Sequence, residues 1–306
     1  MSDGHARRAK PSRDGFSTRG LRFGDDCHGR LYTPDRPSDA PVVVLAPGAG
    51  LAWRPTLELT AERFAERGYA VLAFDHRGFG RSGEGRLIHP ARQRADLDAA
   101  IDTARDAPEV DGNRLALWGM DLSAGAALAA AADSFAVDAV VARFPVVRGA
   151  ALLPSWVRPR LRGLATGLVD YPVSAVGRLR GVAPDERGKR VPLFGDAAKV
   201  AAITGPGIAR DVRDAVGRDP GTTPARSLVK LQRYDGSERL EEVHCPVLFV
   251  AGERDELAPP KQVTGLSESV SDASLVRIPA GHYDAFSGRP LDRTVNHELG
   301  FLDAEL

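Results

Sequence analysis

Residues 115–132, "LALWGMDLSAGAALAAAA", run from an apolar strand through a tight turn straight into an Ala-rich helix. A strand without a polar face must be covered on both sides, so the following helix has to cross back over a sheet. That requirement excludes most all-β and all-α arrangements and points to a parallel sheet with crossover helices. The same grammar recurs along the chain. "PVVVLAPGAG" (41–50) is a buried strand ending in a Gly/Pro loop, followed by a helix at 56–67 and the strand "YAVLAFD" (69–75). A helix is predicted at 90–107, where Leu97, Ala100, Ile101 and Ala104 form one stripe. Strands at 137–145, 245–255 and 274–282 follow, with helices from about 259 and at 290–303. "GLRFG" and "GRLYTP" read as an opening hairpin.

Between 148 and 239 the texture changes to Pro-, Gly- and Arg-rich sequence with no clean strand. Short helical pieces are predicted there at 156–169, 196–203 and 208–216, each ended by breakers. The expected organisation is therefore a core of 20–147 plus 240–306, a helical lid at 148–239 between the sixth and seventh core strands, and a disordered leader over 1–19. The leader is basic but lacks the apolar segment of a secretory signal. No run approaches the length that spans a bilayer. Lys+Arg and Asp+Glu both total 41, so the charge balance argues for neither a nucleic-acid nor a membrane partner. Two cysteines, Cys27 and Cys245, support neither a disulfide framework nor a zinc site, and a reducing cytoplasm is expected.

In open α/β sheets, ligands sit beyond the carboxyl ends of the strands. The segments that follow those ends are "APGAG" (46–50), "DHRGFGRSG" (75–83), the turn bearing Asp121, "GERDE" with Asp255, and "AGH" with His282. Nucleophile position, acid and histidine occur in the chain order of one known fold. From about residue 20 to 304 the sequence resembles the α/β-hydrolase fold family. It is most similar to a bacterial subgroup with a "WGTSxSGG" elbow, matched here by "LWGMDLSAG" (117–125), "DHRGFGRSG" (75–83) and "GERDELAPP" (252–260). The resemblance implies a nucleophile at 121, an acid at Asp255, a base at His282 and oxyanion-hole amides from Ala49 and Leu122. The departure is Asp121 itself, which stands where the subgroup has serine, so its ester and acyl-transfer activities do not carry over.

A carboxylate needs no base to become a nucleophile, since its reference pKa lies near ~3.9. Attack on an ester would yield an anhydride, less stable than the ester consumed. Attack on a saturated carbon, opening an epoxide or displacing a halide, gives an ordinary alkyl ester. His282, oriented by Asp255, then directs water at that ester, and the Ala49 and Leu122 amides hold its oxyanion. The epoxide hydrolases and haloalkane dehalogenases use this logic, and the resemblance to them is confined to the triad. An epoxide oxygen needs a proton donor, for which Tyr171 and Tyr234 in the inserted block are candidates beside an ordinary packing role. A halide needs N–H donors. The dehalogenases place a tryptophan directly after the nucleophile, where this chain has Leu122, and Trp53 and Trp156 are the available substitutes.

Epoxide opening on a small-to-medium apolar substrate is the preferred expectation, with no cofactor and no metal. Four alternatives stand beside it. They are haloalkane dehalogenation, a non-hydrolytic rearrangement, cyclisation or elimination with Asp121 and His282 as an acid–base pair, a binding protein without turnover, and an engineered variant of a serine esterase or acyltransferase. Ser123 is expected to bond backbone or pack the elbow. His76 is expected to be a hydrogen-bonded loop residue, and His5, His28, His89, His244 and His297 to have surface or packing roles. Lidded hydrolases of this kind often pair, so a homodimer is an expectation.

Overall fold

The computed structural model describes residues 15–36, 39–183 and 186–306. Eight strands form the central sheet: β1 (Phe16–Phe23), β2 (Cys27–Pro34), β3 (Pro41–Ala46), β4 (Ala70–Asp75), β5 (Asp111–Met120), β6 (Ala139–Arg143), β7 (Val247–Gly252) and β8 (Ala273–Ile278). Their spatial order is β1-β2-β4-β3-β5-β6-β7-β8. The β1–β2 hairpin and the β2–β4 pair are antiparallel, and every later pairing is parallel. Strands β3, β4, β6 and β7 are buried at every residue, which explains their unbroken apolar sequences. Helices α1 (Glu58–Arg67), α2 (Pro90–Arg105) and α3 (Leu122–Asp133) supply the first crossovers. β1 begins at Phe16, inside the stretch expected to be a leader, while residues 1–14 lie outside the described residues.

Between β6 and β7 the chain leaves the sheet. It forms α4 (Val157–Leu179), α5 (Ile208–Val216) and α6 (Arg226–Gln232), with short ladders pairing 190–192 with 222–224 and 194–195 with 203–204. Two expectations for this block are corrected. The helix predicted at 156–169 is one helix of 23 residues. The helix continues through Pro172, and within it Gly163 and Gly167 are points of close approach. A Cβ on Gly163 would lie 2.5 Å from the Leu228 side chain, and one on Gly167 would lie 2.7 Å from the Ala225 carbonyl. The buried Asp170 carboxylate then pins α4 to the start of α6, accepting from the Arg226 amide at 3.1 Å and its guanidinium at 2.8 Å. The second correction concerns 196–203, which is not helical. Its turn closes through Lys199 N–H to Asp196 O at 2.9 Å, and Ile203 enters the short ladder with Phe194.

After β7 come α7 (Pro260–Ser267) and, after β8, α8 (Gly288–Glu305). Among the described residues no helix is long and apolar enough to cross a membrane. α8 is tied to the sheet by a fully buried ion pair, in which Arg143 Nε and Nη2 donate to the two Glu298 oxygens at 2.7 and 2.5 Å. The Arg143 guanidinium also stacks 4.6 Å above the Trp118 ring. Removing one partner strands the other charge in the core, which costs roughly 3–5 kcal/mol. Glu298→Gln should therefore lower unfolding stability by about 3 kcal/mol, read from its urea midpoint.

Candidate functional site

The turn from β5 to α3 forces Asp121 into φ 57°, ψ −127°, a conformation that a non-glycine residue holds only when its surroundings impose it. Gly119 permits the turn, because a Cβ there would sit 2.4 Å from the Ser123 carbonyl oxygen. Two further hydrogen bonds fix the Asp121 backbone: its N–H donates to Arg143 O at 3.3 Å, and its carbonyl accepts from Val146 N–H at 3.1 Å. The side chain is buried and points at the loop after β3, where Oδ2 accepts from the Ala49 N–H at 3.1 Å. Oδ1 is buried without a hydrogen-bond partner.

Opposite this group, the loop after β7 presents Asp255 and the loop after β8 presents His282. Asp255 Oδ1 accepts from the amides of Leu257 and Ala258 at 2.9 and 2.8 Å. Its other oxygen lies 2.8 Å from His282 Nδ1, which fixes the ring and leaves Nε2 buried and unpartnered. Burial alone would lower the His282 pKa, but the charge and hydrogen bond of Asp255, with Asp121 nearby, leave it raised. Burial pushes the Asp121 carboxyl up to about 6, despite the opposing pull of His282 and of the Ala49 and Leu122 amides.

Asp121, Ala49, Leu122, Asp255 and His282 are thus brought to one place. Tyr234 is also close enough for the Asp121 charge to act on it. Its hydroxyl is packed so tightly that a Cβ on Gly125 would lie 2.8 Å away, and burial pushes its pKa up to about 12. The other three candidates are committed elsewhere. Trp156 is 62% exposed at the start of α4. Tyr171, also on α4, has the Lys230 ammonium 5.8 Å from its ring. The buried Trp53 ring meets Tyr32 edge-on and carries the Arg54 and Arg30 guanidinium groups at 5.2 and 5.9 Å.

Two residues escaped the sequence reading. Tyr283 packs edge-on against His282 at 4.8 Å, and its buried hydroxyl has no partner. Burial, with the Asp121 and Asp255 charges, raises its pKa well above the ordinary value. Phe144 packs tilted against the His282 ring at 5.6 Å and holds a φ of 47° just after β6. The only available signal was their position beside His282 and just after a strand. A cavity of about 150 Å³ reaches His282 and Tyr283 between α5 and the loops after β7 and β8.

Ser123 lies beneath the elbow. Its hydroxyl donates to Pro47 O at 2.6 Å and accepts from His76 Nε2 at 3.0 Å. His76 Nδ1 in turn lies 3.5 Å from Asp96 Oδ2, and all three side chains are buried. The row has the composition of a Ser–His–Asp relay, but its hydroxyl is committed to the backbone of the loop carrying Ala49. Ser123→Ala should lower stability by about 1–3 kcal/mol, the cost of unpairing buried polar groups, and leave turnover within a few-fold. Loss of turnover at unchanged stability would make Ser123 the reactive group.

Residues 43–297 match the model of the alpha/beta hydrolase family. This chain belongs to the alpha/beta hydrolase family. Among its relatives is the quorum-quenching protein AidA of Acinetobacter baumannii, 29% identical over 284 residues covering 90% of each chain. The putative carbamate hydrolase RutD of Azorhizobium caulinodans is 30% identical over 258 residues, covering 83% of this chain and 86% of RutD. Among solved structures, DcsB in complex with its substrate analogue superposes with a TM-score of 0.77 at 22% identity, covering 95% of this hydrolase and 99% of DcsB.

Proposed function

We propose that this hydrolase uses Asp121 as its nucleophile and opens a strained C–O bond, an epoxide, through an alkyl ester of the enzyme. One observation carries the reading. One Asp121 oxygen is held by the oxyanion-loop amide, while the other, together with His282 Nε2, is buried with no protein partner. Buried polar groups are almost always paired, so two orphans at a strand-end site, on residues close enough for their charges to act on each other, mark where reacting atoms go.

In the first step Asp121 Oδ1 attacks a ring carbon. The oxirane C–O bond breaks, and its oxygen takes a proton from a tyrosine. The buried, unpartnered Tyr283 hydroxyl is the best-placed donor, and Tyr234 is the second. In the second step His282 Nε2 takes a proton from water as the water attacks the Asp121 ester carbon. The Ala49 and Leu122 amides hold the oxyanion, the acyl C–O bond breaks, and the departing alkoxide takes the proton back from His282. The released Asp121 carboxyl gives its proton to the tyrosinate left by the first step. The inserted block of α4–α6 serves as the lid that keeps bulk water out. Carbamate hydrolysis, named for RutD, requires attack at an acyl carbon, which would turn Asp121 into a mixed anhydride. Dehalogenation has less support, because Trp53 is engaged by arginines and Trp156 is exposed.

A second reading draws on the Asp121 carboxyl being pushed up to about 6. A carboxyl that titrates near neutrality is suited to shuttling protons without forming a bond. One experiment separates the two. The enzyme is screened on epoxides, haloalkanes and activated esters, and its substrate is then converted in a single turnover in ¹⁸O-water. The nucleophilic reading expects epoxide turnover with the label in the Asp121 carboxylate and none in the product. Turnover with unlabelled Asp121 would leave only the acid–base reading.

A further inference from the structure

A cleft of about 550 Å³ opens behind the oxyanion loop, at the carboxyl end of β4. Its walls come from the β1–β2 hairpin, from Ala52–Arg54 just past the Ala49 amide, from the loop after β4, and from Arg218 of the inserted block. Five arginines line it: Arg22, Arg30, Arg54, Arg81 and Arg218. In a chain whose charges balance, this is a strong local excess. Arg22 and Arg54 have acidic partners in Asp26 and Glu58. Arg30, Arg81 and Arg218 have no ion-pair partner among the described residues.

Asp75 is the one carboxylate in the wall, a single acid against five arginines. Its two oxygens are capped by the Trp53 and Arg81 amides, both at 2.9 Å, and burial pushes its pKa up. The positive field is felt nearby, since Arg190 and Arg218 reinforce burial in lowering the pKa of Arg86. Nor are the arginines loose. Trp53 carries the Arg30 and Arg54 guanidinium groups on its ring, which orders them before any ligand arrives. Fixed guanidinium forks match planar or tetrahedral oxyanions, and the volume falls in the range of small-molecule pockets.

We propose that this cleft is a second ligand site, which takes a small organic oxyanion carrying at least two negative charges. Phosphate esters and polycarboxylates share that chemistry. The test is calorimetric titration of the full chain at low salt, with pyrophosphate in one arm and citrate in the other. Saturable binding of either anion is expected, weakening as salt rises, and the stronger arm names the source. Arg81→Ala/Arg218→Ala should weaken it about tenfold or more while keeping the parent's circular dichroism and melting temperature, since both residues are exposed. Absence of binding in both arms, or equal affinity in the double variant, would overturn the proposal. Neither readout uses turnover, so the outcome is independent of the chemistry assigned to Asp121.

Discussion

A His282→Gln enzyme should stop halfway. Mixed with an epoxide substrate, it should consume about one equivalent and then turn over roughly 10³-fold more slowly, the scale of losing a positioned general base. The reason lies in what His282 does not touch. Its Nδ1 faces Asp255 at 2.8 Å, and its Nε2 is buried without a partner, so the ring is oriented for a proton that only a substrate-derived species or water supplies. The first half-reaction needs only the Asp121 carboxylate and a proton donor. Glutamine fills the space without accepting a proton from water, so the alkyl ester should accumulate. Intact-mass analysis would show the protein heavier by one substrate, and peptide mapping would place that mass on Asp121. A variant that slows equally in both phases, with no adduct, would move His282 into the first step and favour proton shuttling.

The same logic fixes the pH dependence of that adduct. Asp121 must be ionised to attack, and its carboxyl is pushed up to about 6, so the rate of ester formation should rise with pH to a plateau above about 7. Hydrolysis of the ester depends instead on neutral His282, whose pKa is raised, so the second step should need a higher pH than that of an unperturbed imidazole.

The parts of this site that could be read in the sequence are those fixed by local sterics and strand topology. Gly119 tolerates no side chain against Ser123, and β5 is buried at its carboxyl half, so the elbow and the position of Asp121 follow from a short stretch. Asp255 follows β7, buried at every residue and so legible as an apolar run, while His282 follows β8, of which only Ile278 is buried. What was not legible depends on direction and close approach. Pro172 carries the sequence signature of a breaker, yet α4 runs through it, and the approach of α6 to Gly163 and Gly167 is not visible in their spacing. Trp156 and Tyr171 are aromatic residues in the inserted block, and nothing in their spacing tells that one is 62% exposed and the other faces Lys230. Tyr283 was passed over for the same reason, since adjacency to His282 does not reveal where its hydroxyl points. Trp53 is a candidate by residue type, and nothing in the sequence tells that its ring serves Arg30, 23 positions earlier, as well as its neighbour Arg54.

Asp121→Asn should abolish turnover and stabilise the fold at the same time. An amide cannot displace an epoxide oxygen, so activity should fall by about 10⁴ or more, as when a nucleophile is lost elsewhere. Stability should move the other way. Burial raises the Asp121 carboxyl from its ordinary value of 3.8 to about 6, so ionising it favours the unfolded chain. That cost is complete above about pH 6, shrinks as the pH falls, and is gone below about 3.8. Each unit of such a difference is worth about 1.4 kcal/mol, so the neutral amide should add roughly 2–3 kcal/mol at pH 8 and almost nothing near pH 4. Urea midpoints at the two pH values measure it directly. If Asp121 were a structural residue held in place by the Ala49 amide, asparagine would be neutral or destabilising at both. A gain at pH 8 that disappears in acid is the mark of a charge kept in the core against stability, which the proposed nucleophilic role of Asp121 would account for.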